Sequence, residues 1–276
     1  MRATTVRSAK SQVARNGGLL QGFDQDKADD MDKMIYLAMT GAKQTEFAQA
    51  INSNNLANVS TTGFRADLHA FSSVPVDGIG AESRVNAVVE SYGTDFATGP
   101  VASTGRELDV AIQGSGFIAV QGEDGREAYT RAGDLRIDAG GLLTNGAGRL
   151  IIGDGGPVAV PPHGSLLIGT DGTVSIQPLG QGPETLAIVD RIKLVDPDPR
   201  EFAKGADGLF YRRDGSEAPA SAAVRLTSGA LEQSNVNIAR TLVNMIELSR
   251  QYEMQVNVIK TSKEDADAAA QLMRIG

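Results

Sequence analysis

Apolar residues near the C-terminus recur at alternating steps of four and three. From Ile238 the line runs through Leu242, Met245, Ser249, Tyr252, Val256, Ile259, Lys263, Ala266, Ala270 and Met273, and nine of these eleven positions are apolar or aromatic. A period of ~3.5 residues keeps one stripe facing a partner helix. The spacing predicts a helix over 237–274, about 57 Å long at ~1.5 Å per residue. A helix that long with so narrow a seam calls for a second helix to cover it.

The second helical pattern spans 31–58. Met31, Ile35, Ala38 and Ala42 share one stripe, Phe47 and Ile51 form a further i,i+4 pair, and Leu56 lies among Asn52, Asn54, Asn55 and Asn58. Asparagine is a mediocre helix former because its amide competes for backbone groups. Two readings of this polar end stand side by side. The amides cap a fraying helix, or they bond across a helix–helix or subunit contact and fix one register. Ser60-Thr61-Thr62-Gly63 then ends the helix, with Gly63 able to take a positive φ.

Between the two helices the pattern changes to short runs separated by turns. Asp109–Ile112, Phe117–Val120, Leu166–Ile168, Thr173–Ile176 and Arg191–Val195 read as strands, with a less certain one around Arg84–Glu90 in an extended connector. Turn signals punctuate them at Asp124-Gly125, Gly140-Gly141, Asn145-Gly146, Asp154-Gly155, Asp171-Gly172, Asp207-Gly208 and Asp214-Gly215. Of the 32 glycines, 23 lie from Gly99 to Gly229, whereas 31–62 and 230–275 together hold only Gly41. A glycine costs about 1 kcal/mol inside a helix, so its distribution divides helical ends from a β-rich middle. Runs this short and this close leave no room for crossover helices, which makes the β region antiparallel. The expected fold class is α+β, with a mostly antiparallel β domain inserted between N- and C-terminal α-helices that pair as a coiled coil. The boundaries are 1–30, a disordered extension or a misassigned start, 31–65, the N-terminal assembly helix and turn, 66–229, the connector and β-rich domain, and 230–276, the C-terminal assembly helix.

Composition mainly removes chemistries. The chain of 276 residues has no cysteine and no tryptophan, two histidines, and a net charge of −8. Disulfides, thiolate metal sites and cysteine nucleophiles are excluded, and an acidic chain poor in aromatics is a poor nucleic-acid binder. No apolar run reaches the ~18 residues of a membrane span. The first 30 residues lack the apolar stretch of a cleaved signal peptide, so the expected route is cytosolic residence or export without one. Gly114-Ser115-Gly116-Phe117-Ile118-Ala119 spells a dinucleotide-binding pattern, but a strand follows it where a helix is required. Ser115 lacks the glycine of a nucleophile elbow, since position 113 is Gln113. His69 and His163 stand alone in a connector and a proline-rich loop. No catalytic, cofactor-binding or metal-ligating constellation emerges, and the expectation is a non-enzyme without cofactors whose amphipathic ends serve association.

Ordered motifs then point to a family. Ser53-Asn54-Asn55-Leu56-Ala57-Asn58-Val59-Ser60-Thr61-Thr62-Gly63-Phe64-Arg65 resembles the N-terminal signature of bacterial flagellar rod and hook proteins. Leu108-Asp109-Val110-Ala111-Ile112-Gln113-Gly114-Ser115-Gly116-Phe117 resembles their central strand motif, and Tyr129-Thr130-Arg131-Ala132-Gly133 and Asp171-Gly172-Thr173-Val174 follow in order. Gly229-Ala230-Leu231-Glu232-Gln233-Ser234-Asn235-Val236-Asn237 is similar to the motif before the C-terminal helix, continued by Leu242–Ile246 and Arg250–Glu253. The start at Met31 and the segment Val74-Pro75-Val76-Asp77-Gly78 look most like the proximal rod members of the family, with the distal rod members as the alternative.

The resemblance implies a structural subunit of the basal-body rod. Such a subunit is exported through the flagellar type III apparatus without a cleaved signal and polymerises with copies of itself and with neighbouring rod proteins into the shaft across the periplasm. Its partners include neither nucleic acid nor a direct membrane span. The expected assembly residues are Ile35, Ala38, Ala42, Ile51 and Leu56 on the first helix, opposed by Val236, Ile238, Leu242, Met245, Tyr252, Val256 and Ile259. Asn54, Asn55, Asn58 and Asn235 are the expected register-setting or interface amides. The rivals from other classes are an all-β enzyme or a binding module with helical oligomerisation arms.

Overall fold

A computed structural model of the chain describes residues 35–75, 85–180 and 185–275. The expectations for 1–30, for Met31 and for the Val76–Gly78 part of the connector lie outside them. A helix over 35–57, here α1, comes first, and the 38-residue helix α2, Ile238–Ile275, comes last. Strands occupy the chain between them, and the pairings of the strands from Val101–Ser103 to Ala230–Glu232 are antiparallel. The architecture is α+β.

The described residues divide into two compact units. The first holds 51–69 and 91–242, and so contains the β region with the end of α1 and the start of α2. The second holds α1 up to Ala50, the described residues of 70–90, and α2 from Val243. Each helix therefore contributes to both units.

In the β unit a five-stranded sheet runs in the order Leu194–Val195, Phe117–Gln121, Glu127–Thr130, Phe210–Arg212, Phe202–Lys204. A three-stranded sheet joins His163–Ile168, Thr173–Pro178 and Ala187–Arg191. The strand Phe117–Gln121 explains why its sequence is a continuous apolar run. Ile118 and Val120 enter one core with Val110, Ile112, Leu135, Leu143, Ile151 and Leu226. Phe117 and Ala119, pointing the other way, enter a second core with Tyr129, Val195, Phe202 and Phe210. Five aromatic rings interlock there, Phe96 included, with Tyr129 stacked on Phe202 at 5.0 Å and Phe117 edge-on to Phe202 at 5.2 Å.

The expected single strand Arg191–Val195 is instead two. Ala187–Arg191 ends in the three-stranded sheet and Leu194–Val195 begins in the five-stranded one. Ile192 bridges Gly153 at the crossing, and Lys193 pairs with Glu127 at 2.7 Å. One uninterrupted strand-like run thus serves two sheets, which periodicity alone does not reveal.

Candidate functional site

The end of α1 and the approach to α2 meet the β region at one carboxylate. Glu232, on the strand Ala230–Glu232, accepts the Arg65 guanidinium through Oε1 at 2.6 Å and the Arg131 guanidinium through Oε2 at 2.8 Å. The Gly99 backbone N–H also donates to Oε1 at 2.8 Å. The side chains of Arg65, Arg131 and Glu232 are 0%, 3% and 1% exposed. Arg131 spreads its remaining donors over Gly116 O at 2.9 Å and Gly114 O at 2.6 Å, and lies over the Phe117 ring. Burial pushes the Arg65 pKa down, and the hydrogen bond to Glu232 opposes that shift. Arg65, Arg131, Glu232 and the Gly114–Gly116 turn come from four different motifs quoted above, so those motifs form one packed cluster.

Two glycines permit that packing. Gly63 has φ +66°, and a Cβ there would lie 2.3 Å from the Arg131 carbonyl carbon. Its N–H instead reaches the Glu232 backbone carbonyl at 2.8 Å. A Cβ on Gly99 would lie 2.0 Å from Gln233 O. Both positions bring backbone against backbone, which only glycine allows.

Amides secure the surroundings. Asn55 is buried at the end of α1, and its Nδ2 donates to Asp67 O while its Oδ1 accepts from Asp67 N, both at 2.8 Å. The side chain thus pairs with the start of the strand Asp67–Pro75 as a neighbouring backbone would. Asn235 accepts from Ala66 N at 2.8 Å and donates to Asp95 O at 2.9 Å and Ala97 O at 3.0 Å. Asn52, buried, donates to Thr241 O at 2.8 Å in the first turn of α2. Asn237 caps that helix by accepting from Arg240 N at 3.0 Å. Lys204 ties the same segment to the edge of the five-stranded sheet through Arg65 O and Asp67 Oδ1, each at 2.9 Å.

In the helical unit, Ala48 and Leu248 form a small apolar contact. Thr45 Oγ1 lies 3.1 Å from Gln255 Oε1, and Gln255 also sits against Gly41. The order of these contacts makes the two helices antiparallel. The line that α2 buries, wholly or in part, runs through Thr241, Asn244, Met245, Leu248, Ser249, Gln255, Ile259, Ser262 and Ala266. It shares Met245, Ser249, Ile259 and Ala266 with the line read from the sequence. At three positions it lies one residue earlier: Thr241 beside Leu242, Gln255 beside Val256, Ser262 beside Lys263. One residue is a rotation of about 100°.

The expected assembly residues distribute accordingly. Ile35, Ala38, Ala42, Ile51 and Leu56 are half-buried, as are Val236, Met245 and Ile259, whereas Ile238, Leu242, Tyr252 and Val256 are exposed. Among the amides, Asn55 and Asn235 are engaged within the chain, as described. Asn54 is exposed, and Asn58 donates to Asn54 O at 3.0 Å and accepts from Thr61 at 3.1 Å, closing the helix end locally. Sequence reasoning named Asn52 in the asparagine cluster but left it out of the expected assembly residues, and it missed Thr45, Gln255 and the cluster around Glu232. A signal for the cluster was available: Arg65, Arg131 and Glu232 are lone charges within motifs otherwise made of small, apolar and amide residues.

Among the described residues no group of three or more carboxylates and histidines could hold a metal ion, and no helix is long and apolar enough to cross a membrane. A shallow groove lined by Asp138, Val160, Pro161, His163 and Leu179 presents one imidazole, whose Nδ1 lies 2.9 Å from Pro161 O in its own loop.

Comparison with known proteins gives these features a context. A family model described as Flagella basal body rod protein matches residues 35–65. The Flagellar hook protein FlgE/F/G D1 domain model matches 111–176, and the Flagellar basal body rod FlgEFG protein C-terminal model matches 227–272. The flagellar basal-body rod proteins FlgF of Salmonella typhimurium and of Escherichia coli K12 are each 41% identical to this chain over 249 residues, covering 88% of it and 99% of the relative. The FlgG of Buchnera aphidicola subsp. Acyrthosiphon pisum is 32% identical over 261 residues, covering 86% and 98%. The matches span both helical ends and the β region in the order in which the motifs stand, and the chain therefore belongs to the family of flagellar basal-body rod proteins, most like its FlgF members.

Proposed function

We propose that the chain is a proximal-rod subunit that polymerises through α1 and α2 into the shaft crossing the periplasm. Membership of a structural rod family implies a non-enzyme. The observation that carries the polymer reading is the apolar surface that the helices leave uncovered. Tyr36, Met39 and Phe47 on α1 and Val243, Ile246, Met254 and Val258 on α2 are all exposed, Tyr36 to 70% and Met254 to 59%. Contiguous exposed apolar surface marks an interaction site. Burying one such side chain contributes roughly 1.5–3 kcal/mol, so many ordinary contacts make a stiff tube. In this reading Ile238, Leu242, Tyr252 and Val256 face neighbouring subunits, while the half-buried Ile35, Ala38, Ala42, Ile51, Leu56, Met245 and Ile259 border a coiled-coil pairing within the subunit.

The partners are other copies, neighbouring rod proteins, and the flagellar type III export apparatus, which passes the chain without cleaving a signal. Residues 66–229 form the outer β domain, and 31–65 and 230–276 the assembly segments. The 41% identity to the FlgF proteins of Salmonella typhimurium and Escherichia coli, against 32% to the FlgG relative, supports a proximal over a distal position.

A chromosomal deletion tests the role. The expected result is loss of motility and of complete rods in isolated basal bodies, with both restored by the full chain. Motile cells with intact rods after deletion would refute it. Complementation from Met1 and separately from Met31 tests the place of residues 1–30.

A further inference from the structure

We infer that Gln255, seated against Gly41 and Thr45, sets the axial register of α1 along α2. The contact between these helices is poor in apolar residues where a heptad seam is ordinarily rich. In the helical unit it brings Gly41, Thr45 and Ala48 of α1 to Leu248 and Gln255 of α2. Gln255 is half-buried, and its carboxamide reaches the buried Thr45 hydroxyl at 3.1 Å. The space it occupies exists because residue 41 is glycine, where a Cβ would stand 2.9 Å from Gln255 Nε2. This is the only glycine between 31 and 62.

A slip of α1 by one heptad in one direction would set Met34 where Gly41 stands, Ala38 where Thr45 stands and Gly41 where Ala48 stands. The methionine side chain would enter the space that the carboxamide needs, and Ala38 would offer it no hydroxyl. A slip the other way would set Ala48 where Gly41 stands, and its Cβ would enter the space that the carboxamide needs. A polar residue at a single core position commonly fixes register at some cost in stability.

The consequence bears on assembly, and that part rests on the polymer reading above. Tyr36, Met39 and Phe47 are exposed on the side of α1 turned away from α2, and Ile246, Met254 and Val258 on the side of α2 turned away from α1, so the axial offset between the two outer faces is fixed by the register. A heptad slip would displace the two faces by about 10 Å.

The register can be read on the purified full-length chain, independently of any role in a rod. The chain contains no cysteine, so Glu46→Cys with Lys263→Cys, both exposed positions, places two spin labels and no others. Pulsed dipolar spectroscopy of this pair is expected to give one narrow distance population. Adding Gln255→Met, which keeps length and flexibility but removes the carboxamide, is expected to raise a second population, displaced by about 10 Å, about tenfold over background, the ratio that the loss of one register-specific hydrogen bond supports. Thr45→Val, which deprives the carboxamide of its hydroxyl, is the second variant and is expected to produce the same satellite. A single unchanged population in both variants, or two populations in the unsubstituted background, would overturn the inference.

Discussion

Glu232 holds Arg65 at 2.6 Å with both side chains withdrawn from solvent, across 167 residues of sequence. The same carboxylate holds Arg131 through its other oxygen. One acidic group therefore joins the N-terminal signature, the β region and the segment leading into α2. Removing it would leave two buried guanidinium groups facing each other, whereas removing Arg65 leaves Glu232 still engaged by Arg131 and Gly99 N.

The first prediction is a ranking. Glu232→Gln is expected to cost about 3–5 kcal/mol of unfolding free energy, the range for breaking a buried pair from one side. Arg65→Met, which removes a charge and keeps an apolar filling, is expected to cost clearly less. Urea denaturation of the purified chain measures both. Equal losses would mean that Glu232 has no special position.

The asparagines separate by what they touch. Asn235→Ala strands Ala66 N, Asp95 O and Ala97 O, and is expected to cost about 2–3 kcal/mol. Asn55→Ala is expected to cost a similar amount by freeing both backbone groups of Asp67. Asn54→Ala, on an exposed side chain, is expected to stay within ~0.5 kcal/mol. The same denaturation series checks the three.

How much of this was legible in the sequence depends on the kind of interaction. The two helices and the strands Val110–Gln113, Phe117–Gln121, His163–Ile168 and Thr173–Pro178 were legible because burial imposes a period, and α2 begins where Asn237 and the end of the glycine-rich region place it. The division of Arg191–Val195 between two sheets was not, since Ile192, Leu194 and Val195 are buried in either arrangement. At Leu242, Val256 and Lys263 the line read from the sequence lies one residue after the buried one. Hydrophobicity selects Leu242 and Val256, but the chain buries Thr241 and Gln255, whose polar groups find partners on α1 or in the backbone. The asparagine cluster satisfies both readings at once: Asn58 caps locally, while Asn52 and Asn55 bond to other segments. Long-range polar contacts leave no periodic trace, so the Glu232 cluster could be suspected only from charges standing alone within quiet motifs.

Domain limits follow from the same cluster. A fragment of 51–242 retains Arg65, Arg131, Glu232, Asn55 and Asn235, whereas 66–229 loses Arg65, Glu232 and Asn235. The longer fragment is expected to unfold cooperatively near the melting temperature of the β unit in the whole chain. The shorter one is expected to melt at least several degrees lower, or not to fold, because Arg131 is left buried without its carboxylate. Circular dichroism melts of the two fragments decide between them.

Alkaline pH gives an independent check on the β unit. Burial, aided by the hydrogen bond to Asp207, pushes the Tyr211 phenol from 10.0 up to about 12. The folded chain thus holds this proton after the unfolded chain has lost it. Its contribution is full below pH 10 and is lost as the pH rises through about 12. Tyr129, raised by burial as well, acts in the same direction. Tyr211→Phe is expected to flatten the fall in stability between pH 10 and 12, and an unchanged slope would place the phenol in solvent.

The central claim, that the apolar face left open on the helices is the surface on which subunits assemble, is tested most directly by thiol protection. Ile246→Cys and Met254→Cys, each made singly in a chain that has no other cysteine, are labelled with a maleimide in the free chain and in isolated basal bodies. The account predicts rapid labelling of the free chain and strong protection in basal bodies, with an exposed β-region position such as Ser165→Cys serving as the reactive control. Equal reactivity of the helix cysteines in both samples, or absence of the chain from basal bodies, would contradict it.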